Sequence, residues 1–275
     1  MKNEETKKIV REGYAKVATQ GSSCCGAVSS CCGTADEAKH ISKKIGYTDE
    51  ELKAVPEGAN LGLGCGNPVA IASLKEGETV LDLGSGPGLD CFLAADKVGR
   101  NGKVIGVDMT PEMIEKARGN ARKGNYSNVE FRLGEIENLP VADNSVDAVI
   151  SNCVINLSPD KESVFKETFR VLKPGGRIMI SDVVLSKELP DFIKDSADAY
   201  IGCISGAITR DEYMETVKAA GFQDISIVGE LSVPVEEWVH DPVADSITER
   251  LGVSTEELKE VLGSVKSIKV KGFKK

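Results

Sequence analysis

Eight cysteines, Cys24, Cys25, Cys31, Cys32, Cys65, Cys91, Cys153 and Cys203, carry most of the reactive chemistry of this chain of 275 residues. A chain this long can bury its own core, so the disulfide framework of small secreted domains is not needed; thiolate binding or redox chemistry is the better reading. Structural zinc lacks its usual spacings, because no C-x-x-C occurs and only two histidines, His40 and His240, could add nitrogen ligands. Both histidines read as surface or core residues. Four of the thiols fall in a short repeat, S22-S-C-C-G26 and S29-S-C-C-G33, whose serines and glycines make a loop. Thiols on a loop can reach a bound ion or exchange disulfides, whereas adjacent cysteines are poorly shaped to bridge one another. A redox-inert linker is the bland alternative, and the oxidation of exposed thiols counts against it. Cys91 reads as a small core hydrophobe.

Thiols far apart in sequence need a scaffold, and V80-L-D-L-G-S-G-P-G88 is its centre. Val80, Leu81 and Leu83 predict a buried parallel strand. Gly84, Gly86 and Gly88, with Ser85 between them, let the backbone turn sharply and pass close to a ligand. Leu89 to Val98 has helical spacing, so the unit is strand, glycine loop, helix, the first half of a doubly wound sheet. The spacing is G-x-G-x-G rather than the dinucleotide G-x-G-x-x-G, and Asp82 offers a carboxylate suited to a cation rather than a phosphate. A glycine turn that only joins two elements is the plain alternative.

Further strands are predicted over Lys103 to Val107, Val129 to Leu133, Val146 to Ser151 and Arg177 to Val184, with Lys173-P-G-G-R177 as the turn into the last. At their C-terminal ends Asp108 can accept the hydroxyls of a ribose, Met109 and Ile136 can cover an adenine, Glu135 can lie at its edge, and Asn152 borders the same pocket. Thr48 and Thr110 read as helix N-caps, and Lys2 to Thr19 as an amphipathic helix that could cover the pocket as a lid. Helices are also expected over Ser163 to Leu172, Leu189 to Ile201 and Arg210 to Ala220, then a strand over Ile225 to Val233, a helix over Thr255 to Leu262 and a strand over Ser267 to Phe273. The fold class is α/β, a doubly wound sheet with a smaller C-terminal α+β lobe. Its expected divisions are residues 1–58, helices and the cysteine-rich loop; 59–204, the glycine-loop domain; and 205–275, the lobe that walls the substrate and holds Trp238.

The formal charge of -9 argues against a phosphate-backbone partner, so no nucleic acid is expected. No apolar run reaches the roughly 18 residues of a membrane span, and the polar start lacks a signal-peptide core, so no membrane partner is expected either. A monomer in the cytoplasm is the expectation.

The chain resembles the arsenite S-adenosylmethionine methyltransferases of the class I methyltransferase superfamily over nearly its whole length. The carriers are L63-G-C-G66, L81-D-L-G-S-G-P-G-L-D-C91, V107-D-M-T110, S151-N-C-V-I-N-L157, V171-L-K-P-G-G176 and the isolated Cys203. It departs from some relatives in Leu63, where they carry tyrosine. The resemblance implies that Cys153 and Cys203 bind trivalent arsenic, with Cys65 as a third thiolate. It also implies an N-terminal cysteine as redox partner: Cys32, near K39-H-I41, is the first choice, with Cys24, Cys25 and Cys31 as alternatives. Implied cofactors are S-adenosylmethionine and an external thiol or dithiol, from a thioredoxin-like or glutathione-type reductant; arsenite and methylated arsenicals are the implied substrate and products. Two other readings are an ordinary methyltransferase of a small organic metabolite, with incidental cysteines, and a non-enzymatic protein that sequesters metalloid.

Overall fold

The computed structural model describes residues 3–20, 35–194, 197–232 and 254–275. Its centre is β1 (Thr79–Leu83), whose residues alternate between two cores as a pleated strand requires: Leu81 and Leu83 enter one, Val80 the other. Around it lie β2 (Lys103–Asp108), β3 (Val129–Leu133), β4 (Val146–Asn152), β5 (Leu172–Leu185), β6 (Gln223–Ser232) and β7 (Val265–Phe273). They form one seven-stranded sheet in the order β3-β2-β1-β4-β5-β7-β6. The first five strands in that order pair in parallel, while β7 pairs antiparallel with both β5 and β6.

The chain runs outward from β1 through β2 to β3 and then returns to the other side of β1 at β4. Ligands of such sheets bind beyond the carboxyl ends of the strands where the direction reverses. Here that point lies between the glycine loop after β1 and the Asn152–Cys153 step after β4. Helices cover both faces: α5 (Leu89–Val98) and α6 (Pro111–Lys123) on one, α7 (Lys161–Val171) and α10 (Arg210–Ala219) on the other, as their buried partners show. A cluster of Phe92, Tyr126 and Phe131, with ring centroids 4.6 and 5.8 Å from Phe92, fixes α5 against β3.

Before the sheet come α1 (Asn3–Gln20), α2 (Ala35–Lys44), α3 (Asp49–Ala54) and α4 (Pro68–Ile71). Thr48 caps α3 with a reciprocal bond to Glu51, as its position before an acidic turn predicts, and Thr110 is the N-cap residue ahead of Pro111 in α6. The remaining helices are α8 (Asp191–Lys194), α9 (Ala197–Ile201) and α11 (Thr255–Ser264). Thus the helix expected over Leu189 to Ile201 is described as two short ones.

One expectation changes with the tertiary partners in view. The Lys173-Pro-Gly-Gly segment is not a free turn. It is a bulge inside β5, where Leu172 pairs with Val146 and Arg177 with Ala148, and Gly175 and Gly176 bond the backbone of Lys274. The strands of residues 205–275 join the same sheet, with β7 between β5 and β6. Accordingly, the division near residue 204 separates stretches of chain but not of sheet.

Candidate functional site

The glycine loop is shaped by its neighbours. Gly84 has φ +66°, and a Cβ there would fall 2.3 Å from Val154 Cγ2; Gly88, at φ +103°, opens α5. Asp108 fastens the loop from β2, accepting the Gly86 N–H at 2.9 Å and the Thr110 N–H at 2.8 Å. Three acids crowd this end of the sheet. Burial raises the Asp108 carboxyl, burial and then the charge of Asp90 push Asp82 well above the ordinary range, and burial lifts Asp90 to about 6. Among the described residues none of the three pairs with a lysine or arginine.

The contact of Val154 with Gly84 brings the neighbouring Cys153 to the edge of the loop. Cys153 follows the last residue of β4 and has φ +58°; Cys203, just past α9, has φ +62°. Left-handed backbone at a side chain other than glycine costs on the order of 1–2 kcal/mol, and here it occurs at two thiol-bearing residues of one site. The Cys65 and Cys153 sulfurs lie within 4.8 Å of each other, and Cys203 Sγ lies 3.3 Å from the Cys153 carbonyl oxygen. Hydrogen bonding to the Cys203 and Cys65 sulfurs, then burial, pushes the Cys153 thiol well up, and burial raises that of Cys65.

Cys65 reaches the site through Asn152. Its N–H donates to Asn152 Oδ1 at 3.0 Å, while Asn152 Nδ2 lies 2.8 Å from Gly66 O, 2.9 Å from Tyr47 Oη and 3.1 Å from Asp90 Oδ2. Asn152 therefore ties the cysteine loop to β4. Ser267 of β7 completes the tie with a 2.7 Å bond to the Cys65 carbonyl.

Over this region lies α1. Val10 forms a cluster with Leu157, Tyr200 and Cys203, against which Tyr14 and Met109 pack, and Val17 and Ala18 cluster with Met113, with Leu61 and Leu63 packed against them. Lys7 bonds Glu135 at 2.7 Å and lies 3.5 Å from Glu137. Among the residues expected to meet a nucleoside, Met109 is thus partly covered by α1, Glu135 is ion-paired, and Ile136 packs in the core. Ser85 Oγ is buried with no hydrogen-bond partner.

Cys91 is fully buried and its thiol donates to Asp82 at 3.2 Å. His40 is exposed. Cys24, Cys25, Cys31, Cys32, Trp238 and His240 lie outside the described residues.

Sequence reasoning missed Asp182, Tyr213 and Lys161. A carboxylate oxygen of Asp182 lies within 4.8 Å of both the Cys65 and Cys153 sulfurs. The carboxylate accepts from Tyr213 Oη at Oδ2, 3.0 Å, and from the Val183 N–H at Oδ1, 2.9 Å, and burial pushes its pKa up to about 7. Lys161 donates to Ser158 O at 3.0 Å and interacts electrostatically with Asp182 and Cys203. The available signal was a lone acid inside the apolar run from Ile178 to Leu185.

This sheet order, with the glycine loop at its switch point, is the class I methyltransferase architecture, and a family model described as a methyltransferase domain matches residues 74–221. The chain is 52% identical over 247 residues to the arsenite methyltransferase of Halobacterium salinarum, covering 86% of this chain and 63% of that protein. It is 39% identical over 193 residues to the arsenite methyltransferase of Homo sapiens, covering 67% of this chain and 49% of that protein. The crystal structure of an arsenic(III) S-adenosylmethionine methyltransferase from Chlamydomonas reinhardtii superposes with a TM-score of 0.64 at 34% identity, covering 86% of this chain and 73% of that one. The chain belongs to the arsenite methyltransferase family. It spans between about half and two thirds of the length of the curated relatives it matches.

Proposed function

We propose that this protein transfers the methyl group of S-adenosylmethionine to trivalent arsenic held by Cys65, Cys153 and Cys203. The observation that carries the reading is the gathering of three sequence-distant cysteines at the switch point, with Val154 packed on Gly84 so that thiols and glycine loop adjoin.

The donor-side residues fit such a ligand. It is a cation, and the buried Asp82 and Asp90 and the half-buried Asp108 offer carboxylates with no basic partner among the described residues. Ser85 Oγ has no hydrogen-bond partner, and a Cβ on Gly86 would meet nothing within 4 Å. Asp108, Ser85 and the Gly84–Gly88 backbone would hold the nucleoside and its amino acid portion, with Met109, Glu135, Ile136 and Asn152 at its border. When bound, S-adenosylmethionine supplies an electrophilic methyl on a sulfonium.

The thiol side fits arsenous acid by charge as well as by softness. Three thiols and As(OH)₃ condense with loss of three waters, leaving an uncharged tris-thiolate that a buried pocket can hold without a Born penalty. Arsenic keeps a lone pair in that pyramid, so this chain need supply no general base. Its contribution is alignment, a class of effect worth roughly 7–11 kcal/mol of barrier. Forming the As–C bond takes two electrons from arsenic. Two cysteine thiolates can return them by joining as a disulfide, with Cys32 or one of Cys24, Cys25 and Cys31 as partner and an external thiol or dithiol, of thioredoxin-like or glutathione type, to reset them. Methylated arsenicals are the products, and the monomer in the cytoplasm remains part of the proposal.

The test is arsenite methylation with S-adenosylmethionine and thiol. Cys65→Ser, Cys153→Ser and Cys203→Ser should each abolish turnover while leaving affinity for the methyl donor unchanged. Turnover that survives in Cys153→Ser would point instead to a small organic substrate. Tight arsenite binding without consumption of donor would point to sequestration.

A further inference from the structure

Among the described residues, the ligand-type atoms of this pocket that all lie within 4.8 Å of one another are two sulfurs and one carboxylate oxygen. We propose that Cys65, Cys153 and Asp182 also form a site for a thiophilic divalent cation of the Zn²⁺ or Cd²⁺ class, a site that overlaps the arsenic site without coinciding with it.

Four features carry the inference. The three ligand atoms lie within 4.8 Å of one another, a spacing that a tetrahedral ion with metal–ligand bonds of about 2.0–2.3 Å closes with small side-chain adjustments. Cys203 Sγ is instead turned toward the Cys153 carbonyl at 3.3 Å. The carboxylate is oriented from behind by Tyr213 Oη at 3.0 Å and Val183 N at 2.9 Å, the outer support that ligating carboxylates need. Charge also balances: two thiolates, one carboxylate and a divalent ion sum to -1, which the Lys161 ammonium offsets, whereas three thiolates with trivalent arsenic are already neutral and leave Asp182 out of the coordination. Binding the ion releases the two thiol protons, and the Asp182 proton where it is present, to solvent. A lone-pair metalloid takes Cys65, Cys153 and Cys203. A closed-shell divalent ion takes Cys65, Cys153 and Asp182.

This inference goes beyond the arsenite reading and does not depend on it. The experiment titrates Cd²⁺ alone, followed by sulfur-to-cadmium charge-transfer absorbance, and arsenite alone, followed by equilibrium dialysis, in a phosphine-reduced full-length chain whose Cys24, Cys25, Cys31 and Cys32 are serine. Asp182→Asn should weaken Cd²⁺ by about tenfold or more and change arsenite by less than about twofold; Cys203→Ser should do the reverse; Cys65→Ser should weaken both. Should Asp182→Asn fail to fold, Tyr213→Phe decides, with Cd²⁺ weakened by about tenfold and arsenite unchanged. An Asp182→Asn variant, or in its place Tyr213→Phe, that binds Cd²⁺ like the parent, or that loses both ligands equally, overturns the proposal. Cd²⁺ binding that needs Asp182 in a chain that takes up no arsenite keeps this inference and removes the arsenite reading.

Discussion

Asp90 sets how this site responds to pH. Burial holds its carboxyl at about 6, so between about pH 4 and pH 6 the native protein keeps a proton that the unfolded chain has already lost. The native state binds more protons in that window, so Asp90 makes stability fall as pH rises through it, by up to about 1.4 kcal/mol per unit, and Asp182, held at about 7, adds to the fall and carries it about one unit higher. Asp82, pushed up by burial and by Asp90, adds to the same slope. Asp90→Asn should make the dependence shallower while leaving the part that Asp82 and Asp182 contribute, with urea unfolding between pH 4.5 and 7.5 as the measurement; parallel curves for the two proteins would contradict the account. Asn152 makes a second prediction. Its amide holds the Cys65 loop, so Asn152→Ala should cost about 1–3 kcal/mol of stability and weaken arsenite binding. Affinity for the methyl donor should change much less, and the reverse pattern in paired binding titrations would show that the side chain serves the donor instead.

At the scale of the element, α1 is the piece that joins donor side and thiol side. Its apolar stripe was readable as helical spacing, but periodicity alone could not say what it covers. The cluster of Val10 with Leu157, Tyr200 and Cys203, with Tyr14 and Met109 packed against it, answers that, and Gly13 lets α1 approach α9, since a Cβ there would lie 3.0 Å from Ile201 Cδ1. Gly13→Leu should therefore push α1 outward, costing about 1–3 kcal/mol by overpacking. KM should rise for both arsenite and methyl donor, more than kcat falls. Unchanged KM values in steady-state assays would mean that α1 does not border either ligand. The Lys173-Pro-Gly-Gly bulge teaches the same limit: a glycine pair beside proline reads as a turn until the backbone of Lys274 is seen pairing with it.

Across the whole molecule, the parallel half of the sheet was legible because β1, β2 and β4 are short, mostly apolar runs, β3 alternates apolar and charged residues, and a glycine or a polar residue follows or ends each of these four. The antiparallel half was not. The alternation in β6 and β7 marks them as strands, but nothing local says that β7 inserts between β5 and β6 rather than starting a new sheet. Ending the chain at Ser264 removes β7 and with it the Ser267 bond that steadies Cys65, and should leave no cooperative unfolding transition. A truncated chain that still melts cooperatively would make residues 205–275 a separable lobe. The site divides in the same way. Cys65, Cys153 and Cys203 stood out by residue type and by resemblance, whereas Asp182, a single acid within an apolar strand, becomes visible only when the sheet brings it to two sulfurs.

That three thiols share one arsenic atom is the claim on which the functional account stands, and arsenic-edge X-ray absorption on the arsenite-loaded protein tests it most directly, again with Cys24, Cys25, Cys31 and Cys32 as serine. The account predicts three sulfur neighbours in this background and two once Cys65, Cys153 or Cys203 is also replaced by serine. An arsenic coordination that is the same with and without each of those cysteines would contradict it.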